Sequence, residues 1–431
     1  MRDRAARMVA RPPSSRRPRV LLASRIFAPE AAAATFRLQA LVRGLVDAGA
    51  RVEVLTTQPP PSVRASDPEA SRRVDRSLGD TRVSRWPALR DATGYVRGYL
   101  PYLSFDLPLA VRLLAAPLPD VVVVEPPPTT GAVARVALGA RSLLARRPVP
   151  YVYYAADVWS DATASMGAPA LVVRAMRWVE AFAMRGADAV VAVSEGVAER
   201  VRALAPRASI TVVPNGIDTG VFTPDGEPHP EAPGTPYLVY AGTASEWQGA
   251  EIFAEAMREV VRAEPTARVV FLGQGSSWPA LQRIRDELPN GAIELRPLAP
   301  AHEAAAWQRG AAAALVSVRP GIGYDFAYPT KVVAALACGT PVLYAGPGPA
   351  AQDIRAHGLG RAVAYDIAQV AQAMIEAFSG DLIVGGGDAA ALSEWVREHR
   401  SLAATGRAAA EVTLGRAGPA LGSSARSLRD P

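Results

Sequence analysis

The chain has 431 residues, 49% of them hydrophobic, which predicts two folded domains of roughly 150–200 residues each and excludes a largely disordered protein. The single cysteine, Cys338, excludes an intramolecular disulfide framework and is typical of a protein from a reducing compartment. The net charge of +6 comes from arginines scattered along the chain, so we expect a solvated surface and no nucleic-acid partner.

Residues 1–17 are rich in arginine, and no apolar signal-peptide core follows them, so we predict a disordered basic tail. Short apolar runs then alternate with longer Ala/Leu/Arg stretches of helical period, which is typical of parallel sheets with crossover helices. This pattern predicts a first domain over residues 18–223. Its strands are predicted at residues 19–24, 52–56, 121–124, 151–154 and 189–193, and its helices include residues 35–48 and 132–146.

Residues 99–118 combine Tyr, Leu and Phe with two charged residues, Asp106 and Arg112. This composition fits either a helix at a membrane interface or a helix packed on the sheet. We favour the packed helix.

A proline- and glycine-rich stretch, residues 224–236, predicts a linker, after which the same pattern restarts and predicts a second domain over residues 237–385. Its strands are predicted at residues 237–240, 268–272, 314–317 and 341–344, and its helices near 250–263, 277–287, 302–310 and 330–338. Residues 386–416 are predicted to form a C-terminal helical segment with one helix at 390–414, and residues 417–431 a tail. The uncharged run 332–351 contains three glycines and three prolines, which exclude a membrane span there.

Two doubly wound α/β domains predict a cleft between the carboxyl ends of two sheets, where such sheets bind ligands. Three loops of small residues follow strands of the second domain and allow backbone amides to approach a diphosphate. Together they predict a nucleotide site. They contain Gly242 and Thr243, then Gly273, Gln274 and Gly275, then Pro329 and Thr330.

Lys331 is the only lysine among the 47 basic residues of the chain. It follows Pro329 in the first turn of a predicted helix, where backbone N–H groups and the helix dipole favour an anion. A compact ammonium group at this position predicts an anion site, although a compositional accident is the alternative.

Seven segments in this order resemble the retaining glycosyltransferases of family four, the "group 1" superfamily with the GT-B fold. The resemblance covers residues 18–415. The segments are residues 26–30, 45–56, 120–127, 157–159, 187–194, 213–222 and 337–342. Asp157-Val158-Trp159 and Pro329-Thr330-Lys331 are most similar to the bacterial branch that acts in surface-polysaccharide assembly.

The resemblance implies two facing Rossmann-like domains, with a nucleotide sugar on the second and an acceptor on the first. It also implies transfer with retention, without a metal or another cofactor. Lys331 would be the cation for the departing diphosphate. The other donor-binding positions implied are Gly242, Thr243, Gly273, Gln274, Gly275, Asp325, Pro329 and Thr330.

On the acceptor side, Asp157 orients an acceptor hydroxyl or caps a helix. Trp159 stacks on a sugar face or simply packs. Glu30 and Glu125 follow first-domain strands and either bind acceptor hydroxyls or are solvated. All four histidines lie after the first domain, which excludes a histidine acid/base on the acceptor side.

Some positions depart from the family pattern. The basic pair that many relatives carry would fall near Thr243 and at Gln248, and the ribose-binding carboxylate at Ala334; its companion carboxylate falls on Phe326. Arg319 and Arg25 are both candidates to supply the missing charge.

We therefore expect a cytoplasmic, metal-independent, retaining transferase that uses a nucleotide-activated hexose, with uridine as the base, and a lipid-linked or small-molecule acceptor. Contact with the inner face of the membrane is compatible with this expectation. The alternatives are a catalytically silent GT-B protein that binds a nucleotide sugar or a partner, and a sugar-nucleotide epimerase of the same architecture.

Overall fold

Two parallel β-sheets organise the chain in the computed structural model, which describes residues 16–30, 32–91, 96, 98–165, 168–380, 382 and 388–417. Most of the predicted N-terminal tail and all but the first residue of the predicted C-terminal tail lie outside the described residues.

The first sheet has seven strands in the order β3-β2-β1-β4-β5-β6-β7. Its central strand β4 consists of four valines that are completely buried, because helices cover both faces of the sheet. The strands are β1 Arg19–Ala23, β2 Arg51–Thr57, β3 Arg82–Trp86, β4 Val121–Val124, β5 Tyr151–Ala155, β6 Ala189–Ala192 and β7 Ile210–Val212.

Eight helices belong to this part of the chain: α1 Ala33–Asp47, α2 Pro61–Ser66, α3 Ala70–Ser77, α4 Tyr99–Ala115, α5 Pro128–Ala145, α6 Trp159–Ser165, α7 Ala170–Arg185 and α8 Glu195–Leu204. Side chains of α4, α5, α7 and α8 form one core on one face of the sheet. Side chains of α1 form a second core on the opposite face.

The second sheet has six strands in the order β10-β9-β8-β11-β12-β13. Its strands are β8 Tyr237–Ala241, β9 Arg268–Leu272, β10 Ile293–Arg296, β11 Ala313–Ser317, β12 Val342–Ala345 and β13 Gly360–Val363. The remaining helices are α9 Glu251–Ala263, α10 Trp278–Asp286, α11 Ala301–Arg309, α12 Thr330–Ala337, α13 Pro349–His357, α14 Ile367–Phe378, α15 Ala389–His399 and α16 Leu402–Leu414.

The α/β prediction is confirmed, and the predicted strands correspond to the inner strands of the two sheets. Strands β3, β7, β10 and β13, which are the four outermost strands, were not predicted. Each of them is only partly buried. Edge strands carry polar residues such as the arginines of β3, so they contain no continuous apolar run that marks them as strands.

The single helix predicted at residues 390–414 is wrong, because the chain forms two helices separated at Ser401. The Ser401 hydroxyl accepts a hydrogen bond from the Ala404 N–H at 3.0 Å and caps α16. Helix α16 then packs on α1, where a Cβ on Gly44 would lie 2.6 Å from the carbonyl oxygen of Gly406. The last helix therefore completes the core of the first domain.

The two domains also meet through the loop between β11 and α12. The ring of Phe326 packs against Gly196 of α8 and leaves no room for a Cβ there. The guanidinium carbon of Arg200 lies 5.9 Å from the centroid of the same ring. The carboxyl ends of the second sheet therefore face the first domain.

Candidate functional site

Lys331 lies in the first turn of α12, and no side chain among the described residues caps the amino terminus of this helix. Its ammonium group donates a hydrogen bond to the carbonyl oxygen of Thr243 at 2.8 Å. The nitrogen also lies 5.1 Å from the centroid of the Tyr240 ring. The loop after β8 thus holds the ammonium group beside the positive end of a helix, which is an arrangement that favours a bound anion.

Burial lowers the pKa of Lys331 to about 8. Within the described part of the chain no carboxylate forms an ion pair with this ammonium group. A lysine that is desolvated and has only a carbonyl and an aromatic face as partners retains capacity to bind an anion.

The three glycines of the neighbouring loops have a backbone role in this arrangement. Gly242 has a φ of 116°, and a Cβ at this position would lie 3.3 Å from the Lys331 ammonium nitrogen. Cβ atoms on Gly273 and Gly275 would collide with the carbonyl groups of Gly242 and Ala244. The loops after β8 and β9 therefore pack backbone against backbone, and the Ala244 N–H donates to the Gln274 carbonyl at 2.8 Å. Nucleotide approach at Gly273 and Gly275 stays a prediction.

Asp325 lies in the loop before α12, where its carboxylate accepts a hydrogen bond from the Gly321 N–H at 3.0 Å. The same loop is anchored by the stacked rings of Trp247 and Tyr324, whose centroids are 5.0 Å apart. Pro329 is the N-cap residue of α12, and Thr330 begins the helix with an exposed side chain. The structure thus brings the predicted donor residues together on three loops at one edge of the second sheet.

Arg319 and Arg25 are the two candidates to supply the missing charge. Arg319 forms an ion pair with Glu251, so its charge is already matched. The Gln248 side chain is buried, and its oxygen accepts a hydrogen bond from the Ser245 N–H at 3.0 Å. Arg25 lies in the first domain, with its guanidinium carbon 5.1 Å from the Tyr102 ring centroid. Whether either arginine supplies the missing charge stays a prediction.

Glu125 is buried inside the first domain. One carboxylate oxygen accepts a hydrogen bond from Arg37 at 3.1 Å, and the other accepts one from the Ser24 hydroxyl at 3.0 Å. Burial raises the pKa of Glu125, while the Arg37 guanidinium opposes this shift. Because both oxygens are engaged, the geometry gives Glu125 a structural role, and its acceptor contact stays a prediction.

Glu30 is also buried, and its carboxylate lies 3.5 Å from the Arg90 guanidinium. Burial raises the pKa of Glu30, and the charge of Arg90 opposes this shift. The alternative that Glu30 or Glu125 is solvated is therefore wrong. Whether Glu30 binds an acceptor stays a prediction.

The helix-cap interpretation of Asp157 is wrong, because a different carboxylate occupies the amino terminus of α6. The N–H groups of Trp159 and Ser160 donate to the two oxygens of Glu180 at 2.8 and 3.0 Å. Asp157 itself is exposed, and its charge contributes to raising the pKa of Glu125. Asp157 is thus a carboxylate at the cleft edge of the first sheet that the helix does not use.

Trp159 is partly buried next to Tyr102, with the ring centroids 5.8 Å apart in an edge-on arrangement. The Arg25 guanidinium carbon lies 5.7 Å from the Trp159 ring centroid. The packing interpretation of Trp159 is therefore confirmed, and stacking on a sugar stays a prediction. Glu180, which holds this segment in place, was missed, because an acidic residue in an amphipathic helix carries no distinguishing sequence signal.

Two family comparisons agree with this architecture. Residues 32–216 match the family described as "Glycosyl transferase 4-like domain", and residues 235–379 match "Glycosyl transferases group 1". The chain belongs to the group 1 glycosyltransferases. No curated protein matches the sequence.

Solved structures of glycosyltransferases share the fold of this group 1 enzyme. Anabaena HepE in complex with UDP-glucose has 15% sequence identity and a TM-score of 0.57, over 92% of this chain and 99% of that chain. A Rickettsia africae glycosyltransferase has 14% identity and a TM-score of 0.61, over 93% and 98%. The lipopolysaccharide outer core galactosyltransferase WaaB has 12% identity and a TM-score of 0.57, over 93% and 98%. At these identities the similarity establishes the GT-B fold.

Proposed function

We propose that this glycosyltransferase transfers a hexose from a nucleotide diphosphate sugar, with uridine as the base, to a lipid-linked or small-molecule acceptor in cell-surface polysaccharide or glycoconjugate biosynthesis. The observation that carries the proposal is the partly buried ammonium group of Lys331 at the amino terminus of α12, which has no carboxylate partner among the described residues. The bound UDP-glucose of the structurally similar Anabaena HepE supports the choice of uridine.

The chemical requirement is to stabilise negative charge on a leaving diphosphate. The Lys331 ammonium group would bind the phosphate oxygens, and the α12 amides together with the Thr330 hydroxyl would donate hydrogen bonds to them. This cationic and amide environment would perform the task that a divalent metal performs in other enzymes, so we propose a metal-independent reaction. Asp157 would face the acceptor hydroxyl from the opposite side of the cleft.

Retention of the anomeric configuration is part of the proposal. It is tested by NMR of the glycosidic linkage in the purified transfer product, with a donor of known anomeric configuration. A product of opposite anomeric configuration would contradict retention while leaving sugar transfer intact.

The deciding experiment replaces Lys331 with Ala. Transfer from radiolabelled donor is expected to fall by about 10²–10³-fold, because a preorganised charge on the leaving group is lost. Arg283→Ala on the exposed surface of α10 is the matched control for removing one positive charge and should transfer like the parent. Equal transfer by Lys331→Ala and the parent would remove Lys331 from the mechanism.

A thermal-shift series with uridine, guanosine, adenosine and thymidine diphosphates tests the donor class through linkage. We expect the largest rise in melting temperature with uridine diphosphate. Binding without turnover across donors and acceptors would instead identify the catalytically silent alternative.

A further inference from the structure

Helix α4 is inverted relative to an ordinary surface helix. Its two charged residues, Asp106 and Arg112, are both buried. Its exposed side chains are large and apolar, with Leu100 exposed to 70% and Val111 to 59%. The exposed apolar residues of α4 are Leu100, Leu103, Leu107, Val111 and Leu114.

Specific hydrogen bonds hold α4 in this orientation. The Arg112 guanidinium donates to the carbonyl oxygens of Thr56 at 3.4 Å and Ser84 at 2.6 Å. The Asp106 carboxylate accepts a hydrogen bond from the Thr130 hydroxyl at 2.6 Å. Rotating the helix to hide its leucines would leave these charges without their partners, so the apolar side faces outward in the folded protein.

Helix α5 packs beside α4, and α7 packs beside α5, so both helices extend this surface. Helix α5 contributes Leu143, which is 82% exposed, and α7 contributes Trp178, which is 68% exposed. We call the exposed side of the three helices the outer helical face. Besides the leucines and valine of α4, it contains Val136, Leu143, Leu144, Leu171 and Trp178. Exposed large apolar residues on three helices packed side by side mark an interaction surface.

The charges on the outer helical face have one sign. Helices α4, α5 and α7 contain only two carboxylates, Asp106 and Glu180, and both are buried. Their partly or fully exposed cations are Arg135, Arg141, Arg174, Arg177 and Arg185. Arg177 lies 3.9 Å from the Asp161 carboxylate of the neighbouring helix α6, so its charge is partly neutralised. Leucine and tryptophan interleaved with the remaining arginines match the interface of an anionic bilayer.

The position of α4 connects this surface to the cleft. The helix runs from the carboxyl edge of the first sheet, after β3, to the amino edge, before β4. Tyr102, in the first turns of α4, contacts Trp159. The exposed apolar residues of α4 extend from Leu100 to Leu114, about 21 Å at 1.5 Å per residue. The cleft end of α4 thus adjoins the predicted acceptor side.

We propose that the outer helical face binds the surface of an anionic phospholipid bilayer. No helix among the described residues is long and apolar enough to cross a membrane, so the contact is one of surface insertion. A second copy of this chain fits less well, because self-association would place the same arginines against one another without exposed carboxylates from these helices. The lipid-linked acceptor rests on the proposed function, whereas the proposed binding to the bilayer rests on the outer helical face alone.

The test is flotation of the full chain with vesicles of phosphatidylglycerol mixed with phosphatidylcholine, and with vesicles of phosphatidylcholine alone. We expect clear binding to the anionic vesicles and at least about tenfold weaker binding to the neutral ones. Leu103→Glu combined with Leu107→Glu should weaken anionic binding about tenfold or more, and so should Arg174→Glu combined with Arg177→Glu. Ile367→Glu and Arg283→Glu, on exposed positions of the second domain, are matched controls that should bind like the parent.

Circular dichroism spectra and urea denaturation curves like those of the parent show that each variant is folded. The proposal is overturned if the parent does not bind anionic vesicles, or if the Leu103/Leu107 variant binds them as the parent does. It is also overturned if light scattering shows a parent dimer that this variant dissociates and vesicles leave intact. Failure of sugar transfer with intact vesicle binding would instead count against the proposed function alone.

Discussion

Charged side chains on the two sides of the cleft differ in whether they have an oppositely charged partner. In the first domain two buried acidic residues behind the cleft have arginine partners, in the Glu125–Arg37 and Glu30–Arg90 pairs. In the second domain Lys331 is desolvated with no carboxylate partner among the described residues. Matched charges use their interactions to stabilise the fold, whereas an unmatched charge retains its interaction for a ligand.

This contrast separates scaffold from binding site within one cleft. The carboxylates that the sequence suggested for the acceptor are for the most part engaged with the protein itself, and Asp157 is the exposed exception. The cation that the sequence suggested for the donor is the group that the fold leaves unneutralised. Removing a charge should therefore have opposite effects on stability in the two domains.

The largest effect on stability is expected for Glu125→Leu, which leaves the buried Arg37 guanidinium without its partner. We expect a loss of about 3–5 kcal/mol in the free energy of unfolding. The double variant Arg37→Met with Glu125→Leu should recover most of this loss, because it removes both charges. Urea denaturation measures the free energy of unfolding of both variants. A Glu125→Leu variant as stable as the parent would contradict the stabilising role of this ion pair.

Glu180→Ala should cost about 2 kcal/mol, since the Trp159 and Ser160 N–H groups lose their acceptor. Because the segment before α6 carries Asp157, the KM for the acceptor should rise while the affinity for uridine diphosphate is unchanged. Glu180→Gln keeps one acceptor oxygen and should restore part of both properties. An unchanged acceptor KM in the alanine variant would reduce Glu180 to a purely structural role.

Lys331→Met should change the free energy of unfolding in the opposite direction and stabilise the free protein at neutral pH by about 1–2 kcal/mol. The folded-state pKa of about 8 lies below the unfolded value of 10.5, so the unfolded state binds more protons between these values. The parent therefore gains stability as the pH rises through this window, and the advantage of the methionine variant disappears above it. Denaturation curves across that range provide the measurement, and a destabilised methionine variant at neutral pH would contradict the interpretation.

The smallest expected effect is on ligand affinity. Binding of uridine diphosphate should weaken by about tenfold as the pH rises from about 7.5 to about 9.5, because Lys331 loses its proton in the free protein. Calorimetry in buffers of different ionisation enthalpy should detect proton uptake on binding in that range. The Lys331→Ala variant is the control, and the same pH dependence in that variant would assign it to another group.

Much of the second-domain site was predictable from sequence, because its chemistry is local. Glycine-rich turns after apolar runs place backbone amides at strand ends, and a lone lysine one residue after Pro329-Thr330 lies at a helix start. The first-domain site was less predictable. Arg37 and Glu125 are 88 positions apart, and Glu180 reaches a helix that begins about twenty residues earlier. Nothing in the local pattern distinguishes these carboxylates from solvated ones.

The sequence by itself determined the α/β class, the inner strands and the position of Lys331 at the start of a helix beside the glycine-rich loops. These features follow from apolar runs, glycines and one lysine, which depend only on a few neighbouring residues. Only the tertiary structure decided which carboxylates are neutralised, that α16 returns to α1, and that α4 presents its leucines outward. These features depend on partners distant in the chain, such as the carbonyl groups of Thr56 and Ser84 that bind Arg112. Burial and pairing are properties of the folded arrangement, and they decide which charges remain available for a ligand.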